Sequence, residues 1–164
     1  MNSRLRQFLF PKITARYLLR VAVVSVVAYL FFAYVCTPFM VRGQSMESTY
    51  RNGEFDFLWK PAFLFSGPRR GDVVALRLAG EHVVFLKRVV ALSGDEVAFR
   101  HGVLYRNGLA VDEPYVKGPC RWNLPPRRVL PGNVYVVGDN RSMPMAEHDF
   151  GQTSESRIVG TPLW

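Results

Sequence analysis

The first pattern along the chain is a change from a polar, basic start to an apolar run, with residues 21–41 carrying no charge. At about 1.5 Å per residue a helix of that length covers roughly 31 Å, the thickness of a hydrocarbon core. A removable secretory signal has a shorter apolar core of about 7 to 15 residues, followed by small residues at its cleavage point. Ala33-Tyr34-Val35-Cys36 instead offers bulky Tyr34 and Val35. The run therefore predicts a permanent transmembrane signal anchor.

Past residue 41 the pattern shifts to short β-type runs separated by turn residues, with no extended 3.6-residue periodicity. Strands are predicted over residues 55–59, 72–78, 82–92, 96–100, 103–106, 109–111 and 133–137. Asn107-Gly108, set between two apolar runs, predicts a two-residue hairpin, because both positions tolerate positive φ. Gly94-Asp95 and Pro131-Gly132 supply further turns. Residues 114–126, with Pro114, Gly118, Pro119 and Pro125, predict an extended surface loop. Val73-Val74-Ala75-Leu76 and Val134-Tyr135-Val136-Val137 are continuous rather than alternating, which predicts strands covered on both faces. Phe55, Phe57, Leu58, Trp59, Phe63 and Phe65 read either as a membrane-surface cluster or as core. The expected architecture is mainly β with one N-terminal transmembrane helix. Its parts are a basic cytoplasmic segment over 1–20, the anchor over 21–41 and an extracytoplasmic β-rich domain over 42–164.

Charge changes the picture at one end only. The net charge of +8 suggests nucleic acid, yet Arg4, Arg6, Lys12, Arg16 and Arg20 face no acid within residues 1–20. The other 16 basic residues face all 13 acids, leaving +3. Nucleic acid is thus excluded as the expected partner, and the basic N-terminus points to a lipid bilayer with that end in the cytoplasm. Two cysteines, Cys36 in the apolar run and Cys120 far along the polar part, suggest neither a disulfide nor a zinc site. His82, His101 and His148 lack ligand-like spacing, so no metal is expected.

The chemistry-bearing stretch is Val41-Arg42-Gly43-Gln44-Ser45-Met46-Glu47-Ser48-Thr49-Tyr50, where the apolar run ends. A serine hydroxyl needs a base to become a nucleophile, and none of the three histidines stands in a recognisable triad context. Lys87 interrupts the apolar run Val84-Phe85-Leu86-Lys87-Arg88-Val89-Val90. With Phe85 and Val89 as same-face strand neighbours it has the surroundings that favour a neutral amine. Lowering a lysine by about two units from a reference of about 10.4 costs on the order of 3 kcal/mol, which a folded domain can supply. Spacing alone does not establish a Ser/Lys dyad, since a strand lysine is normally a solvent-facing residue.

Four blocks now stand in order behind the apolar segment. They are Gly43-Gln44-Ser45-Met46, Arg70-Gly71-Asp72-Val73-Val74, Leu86-Lys87-Arg88-Val89-Val90-Ala91-Leu92-Ser93-Gly94-Asp95 and Gly138-Asp139-Asn140-Arg141. In these blocks the chain resembles the bacterial type I signal peptidases, membrane-anchored serine proteases that remove signal peptides. The resemblance implies the family's coiled antiparallel β-sheet fold, signal peptides of exported pre-proteins as partners, and no cofactor. It also implies the bacterial cytoplasmic membrane, crossed once, with the catalytic domain outside. By it Ser45 is the nucleophile and Lys87 the general base, with the Ser45 N–H helping to form the oxyanion hole. Gly43 stands where some members place a serine whose hydroxyl is a second oxyanion donor. Val41, Met46, Tyr50, Phe85 and Leu86 match the pocket for small residues. Asp139 would pair with Arg88, and Asn140 belongs to the same supporting block.

The main departure follows Arg141, where the family commonly continues x-x-Ser-x-Asp-Ser-Arg-x-x-Gly. Here the run is Ser142-Met143-Pro144-Met145-Ala146-Glu147-His148-Asp149-Phe150-Gly151. Pro144 replaces a serine that orients the lysine, with Ser142 a candidate substitute, and Ala146 and His148 replace an Asp and an Arg that pair. Ile158-Val159-Gly160 restores the family ending. Two other readings stand beside a general signal peptidase: a specialised processing protease such as a pilin-maturation enzyme, and a catalytically silent membrane-tethered β-domain that binds exported segments. A self-cleaving repressor shares the Ser/Lys chemistry, but this chain offers no DNA-reading helix.

Overall fold

The computed structural model describes residues 13–47, 49–79, 83–148 and 150–163. The chain forms two compact units, Met1–Cys36 and Thr37–Trp164.

Within the first unit lies helix α1, Ala15–Tyr34, whose N-cap Thr14 accepts a hydrogen bond from the Tyr17 N–H. It is 20 residues long, with mean hydropathy 1.9 and no part buried, so it is long and apolar enough to cross a membrane. The helix starts six residues before the predicted anchor and stops seven short of its end. Residues 36–40 of the predicted span form strand β1, Cys36–Met40. Pro38 cannot continue a helix and pushes the residue before it to extended backbone, a break that absence of charge does not reveal. Arg16 and Arg20 lie inside the helix near its N-terminal end, where long basic side chains can carry their charge toward an interface.

The second unit is mostly antiparallel β. After β1 come β2 (Phe55–Trp59), β3 (Val73–Ala79), β4 (Val83–Ala91), β5 (Glu96–Arg100), β6 (Val103–Arg106), β7 (Leu109–Ala110), β8 (Leu124–Arg128), β9 (Asn133–Val137), β10 (Gly151–Ser154) and β11 (Ile158–Pro162). A seven-stranded sheet runs β1-β2-β11-β3-β4-β9-β10, and a four-stranded sheet runs β7-β6-β5-β8. The predicted strands agree with the structure to within a residue at each end. The predicted hairpin is present: Asn107 and Gly108 take φ of 52° and 79°, and Arg106 pairs with Leu109. The predicted loop over 114–126 differs, since Leu124–Arg128 is strand. Pro125 and Pro126 are accommodated because β8 is an edge strand and its register with β5 shifts between Arg127 and Leu124, so neither proline interrupts a regular ladder. β10 and β11 carry too few apolar residues in sequence to be read as strands, yet β11 lies between β2 and β3.

The continuous apolar strands are covered on both faces. Val74 and Leu76 pack with Val89, Val134 and Val136, whereas Ala75 packs on the opposite side with Val41, Met46, Tyr50, Leu58 and Leu86. A third cluster, including Phe99, Leu104, Trp122, Leu124, Tyr135 and Val137, joins the two sheets. Of the aromatic stretch, Leu58 enters the core while Phe55 and Phe65 are exposed.

Candidate active site

Ser45 lies in the loop joining β1 to β2. The base of that loop is pinched by Val41 N–H donating to the Glu54 carbonyl and Gly53 N–H donating to that of Val41, each at 2.8 Å. Gly43 turns the chain with φ of +95°, a region that L side chains rarely adopt. Its N–H donates to Asn52 Oδ1 at 3.1 Å, so this candidate oxyanion donor is engaged within the protein. Just after the serine, the Thr49 and Tyr50 N–H groups both donate to the Met46 carbonyl, closing a tight turn.

Lys87 sits inside β4, opposite Val74 of β3. Its side chain is 1% exposed, among Val74 and Val89 at 0%. From this apolar strand Lys87 Nζ donates to Ser45 Oγ at 2.8 Å, across 42 residues of chain. The candidate base and the candidate nucleophile are therefore in direct contact.

What holds the two together is the stretch that leaves β9. Asn140 N–H donates to the Ser45 carbonyl at 2.9 Å, and Asn140 Nδ2 donates to the Gln44 carbonyl at 3.0 Å. Ser142 Oγ donates to Asn140 Oδ1 at 2.6 Å and is exposed, so its hydroxyl orients that amide rather than Lys87. Asp139, wholly buried, accepts two bonds from Arg88, Nε to Oδ1 at 2.8 Å and Nη2 to Oδ2 at 2.6 Å. Its Oδ2 also accepts from Thr49 Oγ1 at 2.5 Å. One carboxylate thus ties the serine loop to the residue next to the lysine. Burial works against the charge on Arg88, but the Asp139 bonds outweigh it and hold the guanidinium above its ordinary pKa. Arg88 Nη1 further donates to the Gly71 carbonyl at 2.6 Å, and the guanidinium lies 3.9 Å from the centre of the Tyr115 ring.

Arg141 is also buried, donating Nε to the Gly138 carbonyl at 2.8 Å and pairing both terminal nitrogens with Glu113 at 2.6 and 3.0 Å. Two more family-like blocks meet where Arg70 forks onto Asp95 at 2.8 and 2.9 Å. Burial alone would raise Asp95, but Arg70, the Leu92 N–H and Asn107 together bring it down to about 2.

Of the candidate pocket residues, Val41, Met46, Tyr50 and Leu86 form one buried cluster with Leu58 and Ala75, and Phe85 is half-buried outside it. Burial, with Asp56 next, pushes the Tyr50 phenol up to about 12, so this side chain is uncharged at neutral pH. Pro144 is exposed and lines an open cleft of about 610 Å³ with Pro119, Trp122, Met143 and Met145. Sequence reasoning missed Asn52, Glu113, Tyr115 and Trp122 as parts of this assembly, and gave Thr49 no role. Each acts through a side-chain contact with a residue elsewhere in the chain that leaves no periodic trace. His82 lies outside the described residues.

Against this geometry, residues 14–163 match the family model described as signal peptidase, peptidase S26. A probable signal peptidase I-1 of Synechocystis sp. is 34% identical over 150 residues, covering 87% of this chain and 76% of the relative. Signal peptidase I of Bacillus licheniformis is 30% identical over 152 residues, covering 86% of this chain and 82% of the relative. A solved signal peptidase I from Enterococcus faecalis V583 aligns over 57% of this chain and 95% of its own, with a TM-score of 0.47 and 24% identity. The family match over nearly the whole chain, together with two relatives at 30% identity or more, establishes that the chain belongs to the signal peptidase family, peptidase S26.

Proposed function

We infer that this protein is a membrane-anchored serine endopeptidase that removes signal peptides from exported pre-proteins, with Ser45 as nucleophile and Lys87 as general base. The observation that carries the reading is the 2.8 Å contact between Lys87 Nζ and Ser45 Oγ, with the lysine buried in an apolar strand. In the reaction the neutral Lys87 amine takes the Ser45 proton as Oγ attacks the scissile carbonyl. The Ser45 N–H donates to the oxyanion that forms. The resulting ammonium then gives its proton to the leaving amine, and water, activated by the same lysine, releases the acyl group. Asn140 and Asp139, braced by Ser142 and Arg88, hold the serine turn against β4. Val41, Met46, Tyr50, Phe85 and Leu86 form apolar walls that select small side chains by size. With Gly43 engaged by Asn52, it shapes the loop and the Ser45 N–H is the oxyanion donor.

The anchor is α1, crossing the bacterial cytoplasmic membrane once, with the basic N-terminus inside and the β domain outside. The arginine and lysine residues of the first 20 positions support that direction. To test the reading, the detergent-solubilised protein is incubated with an exported precursor and the new N-terminus is sequenced. Cleavage after a small residue, with another small residue two positions before it, is the expected result. Cleavage after Leu or Phe, or none, contradicts it.

A further inference from the structure

Gly138 is the first residue beyond β9, and the β4–β9 register pairs Arg88 with Val137 and Val89 with Val136. One step further places Gly138 opposite Lys87, and a side chain there would point to the face that carries the lysine. That space is filled by other groups. A Cβ on Gly138 would meet the Ser45 carbonyl oxygen at 2.2 Å, His148 Cε1 at 2.5 Å and His148 Nε2 at 2.8 Å. The imidazole edge thus stands on the lysine's face, in the slot opposite Lys87, beside the backbone of the nucleophile. Opposed residues hold their Cβ atoms about 4.5 to 5.5 Å apart, so the ring stands across one strand spacing from the base of the lysine side chain. The ring is held in turn. His148 is 5% exposed, and Trp122 meets it edge-on at 4.8 Å and 80°. The Trp122 indole N–H is itself fixed by donating to the Met143 carbonyl at 2.9 Å.

We propose that His148 is a positioning residue of the Ser45/Lys87 pair: its ring edge fills the slot that Gly138 leaves open and keeps the lysine amine aligned with Ser45 Oγ. The proposal rests on the dyad reading above. A buried, backed ring limits where the lysine stem can lie, and the ring edge and the Ser45 carbonyl oxygen both crowd the position a Gly138 Cβ would take. Without it the stem and the serine turn gain room to separate, and a misplacement of about 1 Å can cost on the order of 10²-fold in rate.

The test is a graded series, His148→Gln, His148→Asn and His148→Ala, beside the wild-type protein and Lys87→Ala, each solubilised in detergent. Values of kcat, per correctly folded molecule, and KM are measured on a precursor-derived peptide. The expected result is a stepwise fall in kcat as the side chain withdraws, within about tenfold for Gln and on the order of 10²-fold for Ala, with KM changed by less than about threefold. Partial rescue by Gln marks a positioning role, because loss of folding lowers the amount of active protein and not the turnover of what remains. Folded variants that all keep kcat within about threefold of wild type, or that change KM alone, overturn the proposal. If His148→Ala does not fold, the Gln and Asn variants decide, with equal turnover counting against it. If wild type fails to cleave, or Lys87→Ala still cleaves, the dyad reading falls and takes this proposal with it.

Discussion

The Lys87–Ser45 contact is set by neighbouring groups, and the tightest constraint among them is the absence of a side chain at Gly138. Because a Cβ there would stand 2.2 Å from a backbone oxygen of Ser45, Gly138→Ala must move the serine turn. We expect a folded variant with kcat lowered by on the order of 10²-fold; wild-type turnover in that variant contradicts the packing account. Asp139→Asn removes one partner of a buried ion pair and weakens the acceptor of the Thr49 hydroxyl. A loss of about 3 to 5 kcal/mol is expected from stranding Arg88, read from urea unfolding midpoints, and an unchanged midpoint counts against it. The Lys87–Ser45 contact and the Arg88–Asp139 pair were legible because each partner sits in a short local block. The Ser142 hydroxyl, expected near the lysine, serves Asn140 instead, and Thr49, Asn52 and Glu113 were illegible because sequence proximity says nothing of a contact made across 90, 9 or 28 residues.

At the level of elements, runs with a continuous apolar pattern declared themselves, as β3, β4 and β9 did. β8 did not, since two prolines disguise an edge strand, and β1 was hidden inside an apolar run that composition cannot divide. The turn between β4 and β5 carries its own prediction through Asp95. Its folded pKa of about 2 lies below the unfolded value of about 3.9, so the bonds its carboxylate accepts from Arg70, the Leu92 N–H and Asn107 together contribute stability above pH 4. That contribution disappears as pH falls from about 4 to about 2. Denaturation midpoints across this window should fall less steeply for Asp95→Asn than for wild type. Identical slopes would show that these bonds are not coupled to folding.

For the whole molecule, an apolar helix long enough to span a bilayer, with Arg16 and Arg20 confined to its N-terminal end, and a basic N-terminal segment predict that the β domain lies outside the cytoplasm. A tag after Trp164 should be digested by external protease in right-side-out vesicles; a tag digested only in inverted vesicles reverses the topology. The central claim, however, is chemical: a buried lysine takes the proton of Ser45. Lys87→Arg tests it most directly, because a guanidinium keeps the positive charge but cannot accept a proton. The account predicts a folded Lys87→Arg protein as inactive on an exported precursor as Lys87→Ala, and contradiction would come from a Lys87→Arg protein that cleaves it.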